Sequence, residues 1–245
     1  MRFLSLLALL FVALPARAQT PAASPVNLPA TNYYEVVTPL GRLVVRLFDE
    51  TPLHRDNFKR LVAKGAYDST YFHRVIEGFV VQGGDPATRD TILANDGLSD
   101  VGTTVPAEID AYHFRGALAA ARQPDEVNPQ RASSGSQFYF VQGRIANDGW
   151  LEQARAMVRQ ATGDTTFDWP EHVRNRYKLE GGVPFLDAQY TVFGEVVEGL
   201  EVLEALSKVD TPRKHGEQHA WMDRPLAPLH VTIHPLDVYL PTGDR

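Results

Sequence analysis

The chain is divided into many short apolar runs by loops that contain glycine, proline and aspartate, and this spacing strongly constrains its fold. Residues 33–48 hold two such runs on either side of Thr38-Pro39-Leu40-Gly41, which is the pattern of a β-hairpin. Further runs lie at 71–82, 116–121, 137–142, 191–197 and 230–239. Their number and length predict a mainly all-β chain that closes into an antiparallel barrel.

Two segments near opposite ends of this region carry helical patterns. The first follows Thr51, an expected N-cap, has Pro52 at the first helical position and ends near Gly65. The second lies at 198–208. The apolar residues at helical spacing are Phe58, Leu61 and Val62 in the first segment and Leu200, Leu203 and Leu206 in the second. The sequence therefore predicts a barrel capped by two helices.

Residues 144–184 interrupt the strand pattern with a helical one. A second helix within this segment is predicted to open at Trp169-Pro170 and to close at Gly181-Gly182. The first helix carries apolar residues at helical spacing, namely Leu151, Ala154, Met157, Val158 and Ala161. We interpret this segment as a helical insertion carried on the barrel.

The N-terminus has the pattern of a secretory signal peptide at 1–18, with a basic start, an apolar run and a small-x-small site that predicts cleavage after Ala18. An uncleaved anchor is the alternative, but the apolar run at 3–14 is shorter than the ~20 residues of a membrane span. Residues 19–31 then form an expected flexible leader, and 32–241 the barrel domain. This pattern predicts a periplasmic or secreted protein without a stable membrane span.

The mature chain is acidic and contains no cysteine. Removal of Arg2 and Arg17 with the signal peptide would take the formal net charge from −6 to −8, because two positive charges are lost. A chain of this charge with no long basic run is a poor candidate for nucleic-acid binding. No cofactor and no metal are predicted, and the histidines of His215-Gly-Glu-Gln-His219 lack the His-Glu-x-x-His order.

The strand-like runs contain a few hydrogen-bonding side chains among large apolar ones. Arg74, Gln82 and Gln137 are the most prominent of these polar residues, and aromatic and aliphatic side chains surround each of them. If they converge, they form an apolar pocket with few polar groups, which is typical of a ligand site. His73, beside Arg74, is expected to be a buried, hydrogen-bonded structural residue and not a base.

Four motifs in this chain resemble, in order, those of the cyclophilin-type peptidyl-prolyl cis–trans isomerases. They are FHRVIEGFVVQGGD at 72–85, GALAAAR at 116–122, SSGSQFYF at 133–140 and PFLDAQYTVFGEVVEG at 184–199. The resemblance implies an eight-stranded antiparallel barrel capped by two helices. It also implies that a surface groove binds Xaa-Pro segments of polypeptides.

The resemblance also implies roles for individual residues. Arg74 matches the catalytic arginine that donates to the prolyl nitrogen, and Gln82 the glutamine that orients it. Phe79, Val80, Tyr139 and Leu186 match the proline pocket, and Ala121, Arg122 and Gln137 match the stretches that bind the peptide backbone and the flanking groove.

Four site positions depart from the family pattern. Tyr139 replaces Phe, and its hydroxyl needs water or a partner. Phe185 replaces Trp, which predicts weakened cyclosporin binding. Tyr190 replaces His and keeps an aromatic wall. Arg122 stands in place of Asn and is expected to bring a charge to the groove edge.

The reaction needs no covalent step, because the barrier of ~18–20 kcal/mol arises from resonance in the peptide bond. A donor aimed at the prolyl nitrogen stabilises the twisted state, in which that resonance is lost. We therefore predict isomerisation of Xaa-Pro bonds in exported proteins. The alternatives are a proline-peptide-binding module with little catalysis and a chaperone scaffold whose 144–184 insertion docks a partner protein.

Two questions stay open at the level of sequence. Regular alternation places Arg74 and Gln82 on one face of a strand and Phe79 on the other, so a shared pocket requires a break or bulge near Gly78. The insertion either overhangs the groove and restricts which substrates enter, or simply packs on the barrel.

Overall fold

The computed structural model describes residues 28–29, 32–90 and 96–239. The predicted signal peptide at 1–18 lies outside the described residues, as does all of the leader except Leu28–Pro29. These two residues form a short strand that pairs antiparallel with Val238–Tyr239.

Eleven strands lie in the described part of the chain. They are β1 Leu28–Pro29, β2 Tyr33–Thr38, β3 Gly41–Leu47, β4 Thr70–Tyr71, β5 Arg74–Val75, β6 Val80–Gly83, β7 Ala117–Ala120, β8 Phe138–Val141, β9 Val192–Glu198, β10 His230–Pro235 and β11 Val238–Tyr239. Nine of them form one sheet in the order β4-β10-β2-β3-β9-β7-β8-β6-β5. Every ladder of this sheet is antiparallel.

The predicted closed barrel of eight strands is not confirmed, because the sheet has nine strands in an open order and curls into a half-barrel. The run predicted as one strand at 71–82 changes partners along its length. The Phe72 amide donates to the Leu229 carbonyl beside β10 at 3.1 Å, whereas the His73 amide donates to the Gln82 carbonyl of β6 at 3.0 Å. The two end strands, β4 and β5, are therefore joined by two residues, and this connection bends the sheet back on itself.

Four α-helices are present among the described residues. They are α1 Pro52–Ala63, α2 Asp148–Thr162, α3 Glu171–Leu179 and α4 Leu200–Ser207. Helix α1 begins after Thr51, as predicted, but the Thr51 side chain makes no capping hydrogen bond. The carboxylate of Glu108 accepts from the first free amides instead, at 3.0 Å from each of Leu53 and His54. None of the described helices is both long and apolar enough to cross a membrane.

The main apolar core is formed by side chains of the curled sheet and of two helices. Phe58 and Leu61 of α1 and Leu203 and Leu206 of α4 are buried in it, which confirms both predicted helices. A separate apolar cluster within the insertion holds Leu151, Ala154, Val158, Trp169, Val173 and Tyr177. Met157 and Ala161, which share the helical spacing, lie on the exposed side of α2. The insertion thus has two helices with an apolar interior of their own.

Candidate active site

A hairpin turn at Gly78 brings Arg74, Phe79 and Gln82 together. Arg74 and Gln82 are directly opposite partners in the β5–β6 ladder, so they are neighbours across two strands and not along one. The Phe79 amide donates to the Ile76 carbonyl at 3.0 Å, and Gly78 has a φ of 77°. Because Phe79 lies in this turn, strand alternation does not set its direction. The break expected near Gly78 is therefore a complete reversal of the chain.

The Arg74 guanidinium is held by neutral groups. Its Nη1 donates to Gln82 Oε1 at 3.2 Å, and its Cζ lies 5.5 Å from the centre of the Phe79 ring. The nearby carboxylate of Asp223 is ion-paired with Arg213. Burial lowers the pKa of Arg74 from its ordinary value, but a guanidinium stays protonated in proteins. Its remaining N–H groups are therefore free to meet a ligand.

A line of amides behind Arg74 fixes its position. Gln82 Nε2 donates to Gln137 Oε1 at 3.1 Å. Gln137 Nε2 donates in turn to the carbonyls of Gly97 at 3.1 Å and Ser99 at 2.8 Å. Because each amide is oriented by the next, the Gln82 oxygen points at Arg74 and its nitrogen points away. Gln137 therefore supports Gln82 from behind.

Arg74 lies at one side of a small pocket of about 170 Å³ that is lined by polar as well as apolar side chains, so the predicted pocket with few polar groups is not confirmed. Nine of the eleven predicted site residues line it, namely Arg74, Phe79, Val80, Gln82, Ala121, Arg122, Tyr139, Leu186 and Tyr190. Gln137 is one hydrogen bond away, and Phe185 stacks on the far side of Phe79 with ring centroids 5.8 Å apart. The structure thus assembles the predicted residues in one place, whereas their individual roles stay predictions.

The Tyr139 hydroxyl has a buried partner, so this departure from phenylalanine is accommodated. It lies 3.0 Å from Nε2 of His113, and Nδ1 of His113 lies 2.9 Å from Oδ1 of Asp187. The other Asp187 oxygen accepts from Trp169 Nε1 at 2.8 Å and from the Tyr177 hydroxyl at 2.6 Å. Burial raises the pKa of Tyr139 well above its ordinary value, so the hydroxyl stays protonated.

This network ties the pocket wall to the insertion, and the sequence analysis missed it. Asp187 directly follows Leu186 in the fourth motif, and His113 stands between two aromatic residues in a segment predicted as a loop. A histidine flanked by aromatic side chains was a signal of burial. Its pairing with Asp187, however, depends on the tertiary fold, because the two residues are 74 positions apart.

Arg122 lies among the pocket-lining residues, and neighbouring groups hold its guanidinium; the charge that it brings to the groove edge stays a prediction. Its side chain is 3% exposed and forms an ion pair with Asp125 at 2.5 Å. Its Cζ lies 4.5 Å from the centre of the Tyr190 ring, and its Nε donates to the Gln189 carbonyl at 2.9 Å. Arg122 therefore positions the Tyr190 ring, and Asp125 offsets much of its charge.

His73 is buried as predicted but is not hydrogen-bonded as expected. Neither ring nitrogen has a partner among the described residues. Burial, followed by the adjacent Arg74 charge, lowers the pKa of His73 to about 4. With so low a pKa the buried ring is a weak proton acceptor, which agrees with a structural role and not with that of a base.

Comparison with known proteins assigns the family. Residues 33–234 match the family model described as "Cyclophilin type peptidyl-prolyl cis-trans isomerase/CLD". The chain belongs to this family of peptidyl-prolyl cis–trans isomerases, the class to which the sequence motifs and the curled sheet both point.

Relatives and solved structures agree with this assignment. Proteins of Staphylococcus epidermidis and Staphylococcus aureus, each named "Putative peptidyl-prolyl cis-trans isomerase", are 34% and 32% identical over 201 and 202 residues. Each alignment covers 81% of this chain and 87% of the relative. A cyclophilin-type isomerase of Cryptosporidium parvum, solved in the presence of the dipeptide Ala-Pro, has a similar fold with a TM-score of 0.56 at 22% identity, covering 83% of this chain and 98% of its own.

Proposed function

We propose that this chain accelerates cis–trans isomerisation of Xaa-Pro bonds in exported proteins, with Arg74 acting on the prolyl nitrogen. The observation that carries the proposal is the placement of Arg74. The neutral amide of Gln82 holds its guanidinium at 3.2 Å, beside a pocket of about 170 Å³ whose lining includes Phe79, Val80 and Leu186. A pocket below the ~300 Å³ of ordinary small-molecule sites fits one prolyl ring better than a cofactor.

The chemistry follows from where charge develops as the peptide bond twists. Loss of resonance returns a lone pair to the prolyl nitrogen, and a fixed guanidinium N–H stabilises that lone pair in the twisted state. Phe79, Val80, Tyr139 and Leu186 hold the ring while the preceding carbonyl swings. Apolar walls lower the local dielectric, which strengthens the contact with Arg74. No proton is transferred and no bond is broken.

The Ala-Pro dipeptide named with the Cryptosporidium structure supports a proline-containing ligand for this pocket. That structure shares the fold with this chain, and the residues that match the family motifs here line one pocket. Proline-containing polypeptides are therefore the proposed substrates.

The test is isomerase activity on Ala-Pro and Phe-Pro peptides, measured by exchange spectroscopy and by a protease-coupled assay. We expect Arg74→Ala to lower kcat/KM by roughly 10²–10³-fold, as for loss of one donor to a developing charge. Arg55→Ala, which removes a half-buried, ion-paired arginine of α1 outside the pocket, is the matched control and should leave kcat/KM unchanged. If Arg74→Ala turns over as fast as the parent, this mechanism is wrong. Tight peptide binding without turnover by the parent would instead favour the binding module.

Action on exported proteins rests on the signal pattern at 1–18. Expression of the full chain in a bacterial host, with fractionation and N-terminal sequencing, tests it. We expect a mature protein that begins at Gln19 outside the cytoplasm. A cytoplasmic protein that retains Met1 would contradict export.

A further inference from the structure

A second cavity lies beside the proline pocket and shares a wall with it. This flanking cavity has a volume of about 560 Å³, and its apolar lining includes Ile76, Phe79, Ile145, Trp150 and Phe185. Phe79 lines both spaces. The flanking cavity thus adjoins the proposed active site, with Phe79 between the two.

Three separate parts of the chain build the flanking cavity. Ile76 and Phe79 come from the β5–β6 turn, and Phe185 comes from the 3₁₀ turn Pro184–Leu186. Ile145 and Trp150 come from the insertion; Ile145 precedes α2, and Trp150 lies in its first turn. Phe185 stacks on Phe79 with centroids 5.8 Å apart and meets Trp150 edge-on at 6.0 Å. A continuous aromatic wall therefore runs from the proline pocket to the insertion.

The lining is apolar yet open to solvent. Ile145 is 61% exposed, and the other four apolar side chains are half-buried. Arg144 and Glu77 stand at the rim, and the Glu77 carboxylate is ion-paired with Lys214 at 3.2 Å. Exposed apolar clusters of this kind on a soluble protein mark interaction sites. The apolar side chains that line the flanking cavity favour binding of a large uncharged side chain.

The reaction itself determines which part of a substrate can occupy this cavity. When the prolyl ring is clamped, rotation about the peptide bond moves the residues that precede the proline relative to the enzyme. A side chain before the proline would be pulled from a fixed cavity during turnover, whereas residues after the proline keep their place. The shared wall is one aromatic residue thick, and extended chain rises about 3.3 Å per residue. A side chain one to three positions after the proline can therefore reach the cavity.

We propose that the flanking cavity is a specificity subsite that binds a large apolar or aromatic side chain on the C-terminal side of the substrate proline. Ile145 and Trp150 of the insertion are its specificity-determining residues. This inference rests on the proposed isomerase function, because it assigns the second cavity to the same substrate. It gives the insertion a direct part in the choice of substrate.

The test compares two peptide series on the full chain. In one, Phe, Leu, Ala, Lys or Glu stands one, two or three positions after the proline of an Ala-Pro unit. In the other, the same residues precede the proline and Ala follows it. Isomerisation is measured by exchange spectroscopy and affinity by calorimetry. We expect Phe and Leu after the proline to bind about five- to tenfold more tightly than Ala, and Lys and Glu no more tightly than Ala.

Variants of the insertion identify the residues responsible. Trp150→Ala and Ile145→Glu should each reduce the Phe-to-Ala affinity ratio to about one- to twofold. Ile145 is largely exposed, so Ile145→Glu tests the subsite without removing a core residue. Leu179→Ala, which changes another exposed apolar side chain of the insertion, should keep the parent ratio.

The possible outcomes separate this inference from the proposed function. Affinity that is flat across the first series, or a ratio that both variants leave intact, would overturn the subsite. A preference that appears only before the proline would overturn its assigned direction, and a preference for Glu would assign binding to Arg144 instead. A parent that dimerises through Ile145 while showing no peptide preference would also refute it. Loss of catalysis on all peptides would refute the isomerase function, whereas calorimetry would still report on the cavity.

Discussion

Arg74 contacts the Gln82 amide and the Phe79 ring, and both partners are neutral. A carboxylate at either position would hold the guanidinium in an ion pair and occupy the donors that a substrate needs. A neutral amide fixes the guanidinium in direction and leaves its charge available. This explains why an arginine and a glutamine stand opposite each other in strands that otherwise bury apolar side chains.

We therefore expect Gln82→Glu, although nearly isosteric, to lower kcat/KM by about tenfold. The charge-assisted hydrogen bond from Arg74 to the carboxylate of the variant would be stronger than the neutral one by about 1.4 kcal/mol. Arg74 would lose this extra stabilisation when it turns to the substrate, and about 1.4 kcal/mol corresponds to a tenfold lower rate. Peptide isomerisation kinetics measure the effect, and Gln160→Glu on the exposed side of α2 is the control for added charge. Equal rates for Gln82→Glu and parent would show that Arg74 is not the limiting donor.

The Tyr139 hydroxyl gives a prediction of stability. Tyr139→Phe leaves Nε2 of His113 without its partner in a buried site. We expect the free energy of unfolding to fall by about 1–3 kcal/mol, the cost of an unsatisfied buried polar group. Urea denaturation measures it. Tyr190→Phe removes a hydroxyl from a half-buried ring and should have a smaller effect; equal losses for the two variants would contradict a special role for His113.

At the scale of elements, sequence patterns predicted the helices, because local signals define where a helix begins and ends. Both capping helices and the two helices of the insertion have terminal Pro or Gly residues and apolar spacing, and all four are present. The run at 71–82 was different, because an uninterrupted apolar pattern does not show where a chain changes its pairing partner. Gly78 marked the turn within it, but the division at Phe72-His73 depends on β10, which lies more than 150 residues later.

The site residues were predictable for a related reason. The motifs contain both the polar residues and the aromatic walls, so nine of the eleven chosen residues line one pocket. The residues that sequence reasoning missed act between distant segments. His113, Asp187 and Trp150 owe their positions to the packing of the insertion on the sheet, and no local pattern encodes that contact.

The turn at Gly78 predicts a substitution with a well-matched control. Gly78 and Gly163 have φ values of 77° and 73°, so alanine at either position should cost roughly 1–2 kcal/mol of stability. A Cβ at Gly78 would meet the Arg144 guanidinium, whereas a Cβ at Gly163 would meet no heavy atom within 4 Å. We expect Gly78→Ala to lower kcat/KM because Phe79 follows it directly, and Gly163→Ala to leave activity unchanged.

Thermal unfolding and peptide kinetics of both variants check this prediction. Asparagine adopts positive φ more readily than alanine, so Gly78→Asn should recover part of the stability that Gly78→Ala loses. Equal activity in Gly78→Ala and Gly163→Ala would show that the turn does not control the position of Phe79.

At the scale of the whole molecule, the insertion is joined to the sheet through Asp187. That carboxylate accepts hydrogen bonds from Trp169 and Tyr177 of the insertion and contacts His113 behind the pocket. The insertion packs on the sheet and also lines the flanking cavity, whereas a restriction of which substrates enter stays a prediction. Deleting it would leave buried partners unsatisfied, so point variants are the sounder test of its role.

The pH dependence of global stability follows from the buried histidines. Burial lowers the pKa of His73 to about 4 in the folded chain, against an ordinary value of 6.5. Between these two values the unfolded chain binds more protons than the folded one, so stability falls as pH falls. The full contribution is present above pH 6.5 and amounts to about 3 kcal/mol, of which about 1 kcal/mol is lost by pH 5.5. Burial also lowers the pKa of His54, which adds in the same direction.

Urea denaturation between pH 8 and 4.5 tests this dependence, and His73→Gln isolates the contribution of one ring. Between pH 8 and pH 5.5 the variant should lose about 1 kcal/mol less stability than the parent. His219→Gln removes an exposed histidine and should keep the parent slope. Carboxylates whose pKa is lowered by partners, such as Glu108, lose their contributions as pH falls through lower values. Burial raises the pKa of Asp96 to about 6, which acts in the opposite direction to His73, so the difference between parent and His73→Gln is the quantity that reports on the ring. If His73→Gln keeps the slope of the parent, the pKa of His73 in the folded chain lies close to its ordinary value, and this prediction is wrong.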